Sequence, residues 1–224
     1  MSTWVIIPVK PLRLAKSRLA EVLSPEQRQR FAESMFRHVL EVVRQVPLVT
    51  GALVISRDQR ALTIARDYGA KTVQESGAPE LNTALMRATQ IIASWRSDAV
   101  LILPADLPMI STDDISGIIK LGQHYERAVT IATDRNKDGT NALYVRPPGL
   151  IQYAYGPGSY QRHAVLARDA GAEVNVYESE NLLQDIDLPE DIANFYRILH
   201  RREHDMSLSL SDAFDAIQAK LEQR

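Results

Sequence analysis

Short apolar runs alternate with longer amphipathic patterns over most of the chain, and this alternation limits the fold more than any other feature. Residues 4–9, 52–56, 71–74, 99–103, 128–133, 142–145 and 173–177 are rich in Val, Ile and Leu and read as strands, mostly buried. Between the first two, a pattern from 25 to about 46 puts Phe31, Met35, Val39, Val42 and Val43 on one helical face. Ser24 is its N-cap, Pro25 takes the first helical position and Gln27 completes a capping box. Further helical patterns run over 60–68, ending at Gly69, and over 81–96. Ser111 with Asp114 opens another, ahead of Ile115, Ile118, Ile119 and Leu121. Strand and helix in this order predict an α/β fold: a Rossmann-like, mostly parallel sheet with helices on both faces. Such sheets bind ligands beyond the carboxyl ends of their strands, so function is expected in the strand-to-helix loops.

The alternation breaks between residues 134 and 157, and Pro147, Pro148, Gly149, Gly156, Pro157 and Gly158 cluster there and just after. This predicts an inserted substrate-binding region in a doubly wound sheet, followed by a helix through Ala164, Val165 and Ala167. Past Arg202, the helical spacing of Leu210, Phe214, Ile217 and Leu221 predicts a separate helix. The chain thus divides into a main domain, 1–202, and a C-terminal helical extension, 203–224.

Composition narrows the chemistry. A chain of 224 residues, 45% hydrophobic and 24% charged, is long enough for one large core. It has no cysteine, which excludes disulfides, a thiol nucleophile and thiolate metal sites, so any metal must be held by oxygen or imidazole. Lys+Arg 26 against Asp+Glu 28 argues against nucleic acid as a partner. No run approaches the ~20 apolar residues that cross a bilayer, and the opening MSTWVIIPVK lacks a basic leader segment, so no membrane association and a cytoplasmic location are expected.

Several clusters are candidates for chemistry. Lys10, Arg13, Lys16 and Arg18 follow the first strand directly. Four cations at the ligand-binding edge suit a polyphosphate; the alternative is a solvated basic surface, and the position after strand one favours the former. Neither the G-x-G-x-x-G fingerprint nor a P-loop is present. Asp106 stands in Pro104-Ala105-Asp106-Leu107-Pro108, just past an apolar strand. It is either a turn residue or a hard oxygen ligand for Mg²⁺, which takes one or two protein carboxylates alongside substrate phosphates. Asp185 and Asp187 share a side if their segment is extended, although Asp187 also reads as a helix cap, with Glu190 and Asp191 favouring the helix start. Asp138-Gly139-Thr140-Asn141 and Gly156-Pro157-Gly158-Ser159-Tyr160 are either tight turns or an anion cradle, with Thr140 and Ser159 hydroxyls adding donors. His163 reads as a helix-surface or packing residue, with no sign of a base.

KPLRLAKSRL, LPADLP, DGTNAL, YGPGSYQRH and DIDLPED, in this order and spacing, resemble the CofC-type guanylyltransferases over roughly residues 4 to 199. These are the 2-phospholactate or phosphoenolpyruvate guanylyltransferases of deazaflavin coenzyme (factor 420) biosynthesis. The resemblance implies a glycosyltransferase-A-type nucleotidyltransferase fold for the main domain. It implies Mg²⁺ on Asp106 and Asp187, and GTP met by Lys10, Lys16, Arg18 and Asn82, with Lys16 also catalytic. A small phosphorylated acid would lie on Thr140, Gly156 and Ser159. Phosphoenolpyruvate leads by family frequency in bacteria, ahead of 2-phospholactate and 3-phosphoglycerate. Tyr155 and Tyr160 replace the usual Phe, Leu188 a Thr, and Glu80 a Gly before Leu81-Asn82. Oligomeric state is left open, a homodimer being one option. Competing readings are a nucleotide-sugar glycosyltransferase, which typically carries a D-x-D motif absent from Asp106-Leu107-Pro108, and a non-catalytic nucleotide-binding protein on the same fold.

Overall fold

The computed structural model describes residues 1–76, 80–183 and 191. Its seven strands are β1 (Thr3–Val9), β2 (Gly51–Ser56), β3 (Lys71–Gln74), β4 (Ala99–Ile102), β5 (Ala128–Thr133), β6 (Thr140–Arg146) and β7 (Glu173–Val176). Five α-helices lie between them: α1 (Pro25–Gln45), α2 (Gln59–Asp67), α3 (Leu81–Ser94), α4 (Thr112–Gly122) and α5 (Ser159–Asp169). The strands form one sheet in the order β3-β2-β1-β4-β6-β5-β7. All neighbours pair in parallel except β6, which is antiparallel to both β4 and β5.

The expected elements form for the expected reasons. Ser24 and Gln27 make a reciprocal capping box ahead of α1, and Ser111 and Asp114 make another ahead of α4. One face of the sheet is covered by α1, α2 and α4, through Phe36, Val39, Leu62, Ile115 and Ile118; α3 and α5 cover the other through Leu85, Ile92, Ala164 and Ala167. The central strands β1 and β4 are buried on both sides, hence their unbroken apolar sequence. No helix among the described residues is long and apolar enough to cross a membrane.

The break in the alternation has a simple cause. Residues 134–139 join β5 to β6 as a hairpin, so β6 returns along the sheet against β4. Its first residue, Thr140, thereby reaches the edge where β4 ends, since Ile102 pairs with Leu143. The 203–224 extension, and with it the proposed boundary, lies outside the described residues.

Candidate active site

Sheet order reverses between β1 and β4: β2 and β3 lie to one side of β1, while the strands after β4 lie to the other. Loops leaving these two carboxyl ends diverge and leave a crevice, here a cleft of about 580 Å³. After β1 the chain makes two 3₁₀ turns, Leu12–Leu14 and Ser17–Leu19, whose Leu12 and Leu19 are buried. The loop is also pinned from β2. Ser56 Oγ donates to the Val9 carbonyl at 2.7 Å, and Asp58 Oδ2 accepts the Leu12 N–H at 2.8 Å. Asp58 Oδ1 accepts the Arg60 N–H at 2.9 Å and caps α2, so one carboxylate fixes a helix start and the basic loop together.

Lys16 opens the second turn in the left-handed region, φ 54° and ψ 39°, uncommon for a residue with a Cβ. Its side chain is 4% exposed, and Nζ donates to Asp106 Oδ2 at 2.7 Å. Asp106 owes its position to its neighbours: Leu107, Met109 and Ile110 are buried under the loop after β4, and the Asp106 side chain stays 38% exposed at the cleft.

Lys10, Lys16, Arg18, Asp106 and Thr140 all line this cleft, while Arg13 is exposed and outside its wall. Asn82 stands outside this wall. Its Oδ1 accepts the Tyr155 N–H at 2.7 Å and its Nδ2 donates to the Tyr155 carbonyl at 3.4 Å, tying α3 to the loop before α5. Glu80 lines the cleft and also caps α3, accepting the N–H groups of Asn82 at 3.0 Å and Thr83 at 2.5 Å. These bonds, Thr83 foremost, hold its carboxyl below the ordinary range.

The glycine-rich turn differs from an open anion cradle. Gly158 N–H donates to Asp138 Oδ1 at 3.1 Å, Ser159 N–H to the Gly156 carbonyl and Tyr160 N–H to the Asp138 carbonyl, both at 3.0 Å. Those helix-start donors are therefore used inside the protein. Ser159 is 2% exposed and its hydroxyl donates to Thr140 Oγ1 at 3.2 Å, so Thr140 stands at the wall and Ser159 behind it. Neither Ser159 nor Gly156 belongs to the wall of the cleft.

Past β7 the chain returns to the same edge, held by the buried Asp114. Its Oδ1 accepts from Ser179 Oγ at 2.5 Å and its Oδ2 from Asn181 Nδ2 at 2.9 Å; Asn141 Nδ2 donates to the Leu182 carbonyl at 2.7 Å. Asp185 and Asp187 lie outside the described residues.

Two wall residues carry no local sequence signal. Arg57 Nε and Glu75 Oε2 are 3.5 Å apart, brought together by the parallel pairing of Ser56 with Gln74. Asp58 is absent from the candidates above, although an N-cap-type residue just before a helical pattern is a signal that finds it. Its second bond, to the basic loop, has no such signal.

A mostly parallel sheet with Lys10, Lys16 and Arg18 in the crevice at its reversal is the architecture of a protein that binds its ligand beyond the strand ends. The chain superposes at TM-score 0.81 and 17% identity, over 100% of its length and 98% of the other's, on a candidate nucleotide-diphospho-sugar transferase of Desulfovibrio desulfuricans G20, a likeness of fold. It is 39% identical over 193 residues to the phosphoenolpyruvate guanylyltransferase of Rubrobacter xylanophilus, covering 86% of this chain and 93% of that one. Over 201 residues it is 36% identical to the 2-phospho-L-lactate guanylyltransferase of Methanothermobacter thermautotrophicus, covering 89% and 86%. Residues 3–211 match the family described as guanylyl transferase CofC like; the chain belongs to that family and is a nucleotidyltransferase.

Proposed function

We propose that the protein transfers GMP from GTP to the phosphate of a small phosphorylated acid, releasing pyrophosphate, and that the acid is phosphoenolpyruvate, in deazaflavin coenzyme biosynthesis. The observation that carries this reading is the pairing of Lys16 with Asp106 in a cleft also lined by Lys10, Arg18 and Thr140. The first-choice acid follows the relatives: identity is 39% to a phosphoenolpyruvate enzyme and 36% to a 2-phospholactate enzyme.

The reaction forms a bond from an acceptor phosphate oxygen to the α-phosphorus and breaks the bond from that phosphorus to the bridging oxygen, which leaves with pyrophosphate. A phosphate monoester, with second pKa about 6, is mostly dianionic at neutral pH and needs no general base. The chain's contribution is alignment and charge: Lys10, Lys16 and Arg18 meet the triphosphate, and Thr140 donates to the acid.

Magnesium is the proposed cofactor. Asp106 offers a hard carboxylate at the cleft, and no group of three or more His, Cys, Asp or Glu gathers among the described residues. That donor set fits an ion that completes its coordination with phosphate oxygens and water. When bound, it would neutralise charge on the phosphate oxygens. Asp187 is the proposed second ligand.

The test is mass spectrometry of the nucleotide formed from GTP, Mg²⁺ and a mixture of phosphoenolpyruvate, 2-phospholactate and 3-phosphoglycerate. A guanosine diphosphate ester of phosphoenolpyruvate is expected. A different ester reassigns the acid, and GTP binding without any product overturns the reading.

A further inference from the structure

His163 is fully buried on α5, yet both ring nitrogens are engaged. Nε2 accepts the Ala154 N–H at 3.0 Å, and Nδ1 lies 3.0 Å from Thr140 Oγ1. An N–H needs a lone pair to receive it, so Nε2 is unprotonated and, in the neutral ring, the proton sits on Nδ1. Burial first, and the adjacent Arg162 second, push the imidazole down to about 4, so the neutral form prevails near pH 7. The edge-on contact with the Tyr155 ring, 4.9 Å between centroids, further fixes the plane.

The tautomer decides what Thr140 can do. Nδ1–H donates to Thr140 Oγ1, and Ser159 Oγ donates to the same oxygen at 3.2 Å. Both lone pairs are then filled from inside the protein, and the hydroxyl proton is the one bonding element left on a residue that lines the cleft. We infer that His163 is a positioning residue that makes the Thr140 hydroxyl an obligate donor toward the cleft, selecting an anionic oxygen of the phosphorylated acid there. The inference rests on the acid-binding side of the proposed function. It gives a buried histidine outside the chemistry a defined role, because a hydroxyl free to rotate could accept from a ligand, whereas this one only donates.

Two measurements separate this inference from the reading beneath it. Long-range proton–nitrogen NMR of the ligand-free protein reports the tautomer without any activity: Nδ1–H is expected, and Nε2–H overturns the inference even in an active enzyme. Kinetics then use variants that each keep one half of the ring's bonding. His163→Asn carries an amide at the Nδ1 position and should keep the KM of the acid within about threefold. His163→Gln keeps the Nε2-like acceptor for Ala154, loses the donor to Thr140, and should raise that KM roughly tenfold or more, with the KM of GTP unchanged. Thr140→Val should raise it by a similar factor, Thr140→Ser should restore it, and His163→Gln should add less than twofold in the Val background. If His163→Gln leaves the acid's KM untouched, or acts with equal force without the Thr140 hydroxyl, the ring only fills space and the inference falls. If the wild-type protein makes no guanylylated acid at all, the proposed function fails while the tautomer measurement still judges the relay.

Discussion

Lys16 Nζ and Asp106 Oδ2 meet at 2.7 Å although 90 residues separate them in sequence. Each comes from the loop after one of the two strands flanking the reversal of sheet order, β1 and β4. A lysine only 4% exposed needs a partner charge, and the carboxylate supplies one. The contact thereby bridges two loops that otherwise diverge, and it sets a cation and an anion side by side at the cleft where the proposed Mg²⁺ and triphosphate meet the chain.

Asp106→Asn should lower kcat/KM for pyrophosphate release by roughly 10²–10³-fold or more at saturating Mg²⁺, with the fold intact by circular dichroism. The carboxylate is proposed to act on substrate-bound metal, and the amide cannot. Near-normal Mg²⁺-dependent turnover in this variant would remove Asp106 from the site.

The backbone of Lys16 offers a way to separate strain from charge. At φ 54° a glycine is relaxed whereas an alanine is not. Lys16→Gly should therefore be about 1 kcal/mol more stable than Lys16→Ala in urea unfolding, while both weaken GTP binding alike. Equal stabilities would mean that the turn relaxes once its lysine is gone.

The fold was legible because its signals are local. Alternation, the capping boxes at Ser24 and Ser111 and the apolar runs of the central strands each report on a few neighbouring residues, and they sum to one architecture. The antiparallel course of β6 was not legible: the break after Thr133 points to an inserted region, whereas residues 134–139 form a hairpin. At the site, Lys10, Lys16, Arg18, Asp106 and Thr140 were legible from their place after strands or in motifs, and they do converge. Arg57, Glu75 and the second bond of Asp58 were hidden because strand pairing creates them. The bonding of His163 was hidden for the same reason: its partners come from β6 and the loop before α5, which no periodicity connects to its helix.

Asp58→Ala should cost about 1–2 kcal/mol through the lost helix cap. It should also raise the KM of GTP, because the Leu12 N–H anchor of the basic loop goes with it. A stability loss with unchanged GTP kinetics would show that the loop holds its place through Ser56 and its own buried leucines.

His163 predicts a pH signature of stability. In the folded chain it titrates near 4, in the unfolded chain near 6.5. Between those values the unfolded chain binds a proton that the folded one refuses, so stability falls as pH drops through this window and is unaffected by this group above it. The slope contributed is at most about 1.4 kcal/mol per pH unit. Of the groups facing the ring, Thr140 and Tyr155 carry no charge in this window, and Arg162 acts on it as a neighbouring cation. Urea midpoints of wild type and His163→Asn should converge as pH goes from 7 to 4.5; parallel curves would assign the pH dependence to carboxylates.

The last expectation ranks the two hydroxyls at the acid side of the cleft. Thr140 lines the wall, whereas Ser159 is 2% exposed and spends its proton on Thr140. Losing the Thr140 hydroxyl removes a donor to a charged ligand, worth roughly 1.5–3 kcal/mol, which is a tenfold to hundredfold rise in the KM of the acid. Losing Ser159 removes one of two bonds that orient that donor, and His163 Nδ1 still holds the other. Ser159→Ala should therefore raise the acid's KM by only severalfold, less than Thr140→Val, and neither should move the KM of GTP by more than about twofold. Steady-state kinetics with each substrate varied in turn give the ranking. If Ser159→Ala proves the more damaging for the acid, Ser159 meets the ligand itself and the bonds at the start of α5 must rearrange when the acid binds. If either variant instead weakens GTP, the wall around Thr140 belongs to the nucleotide.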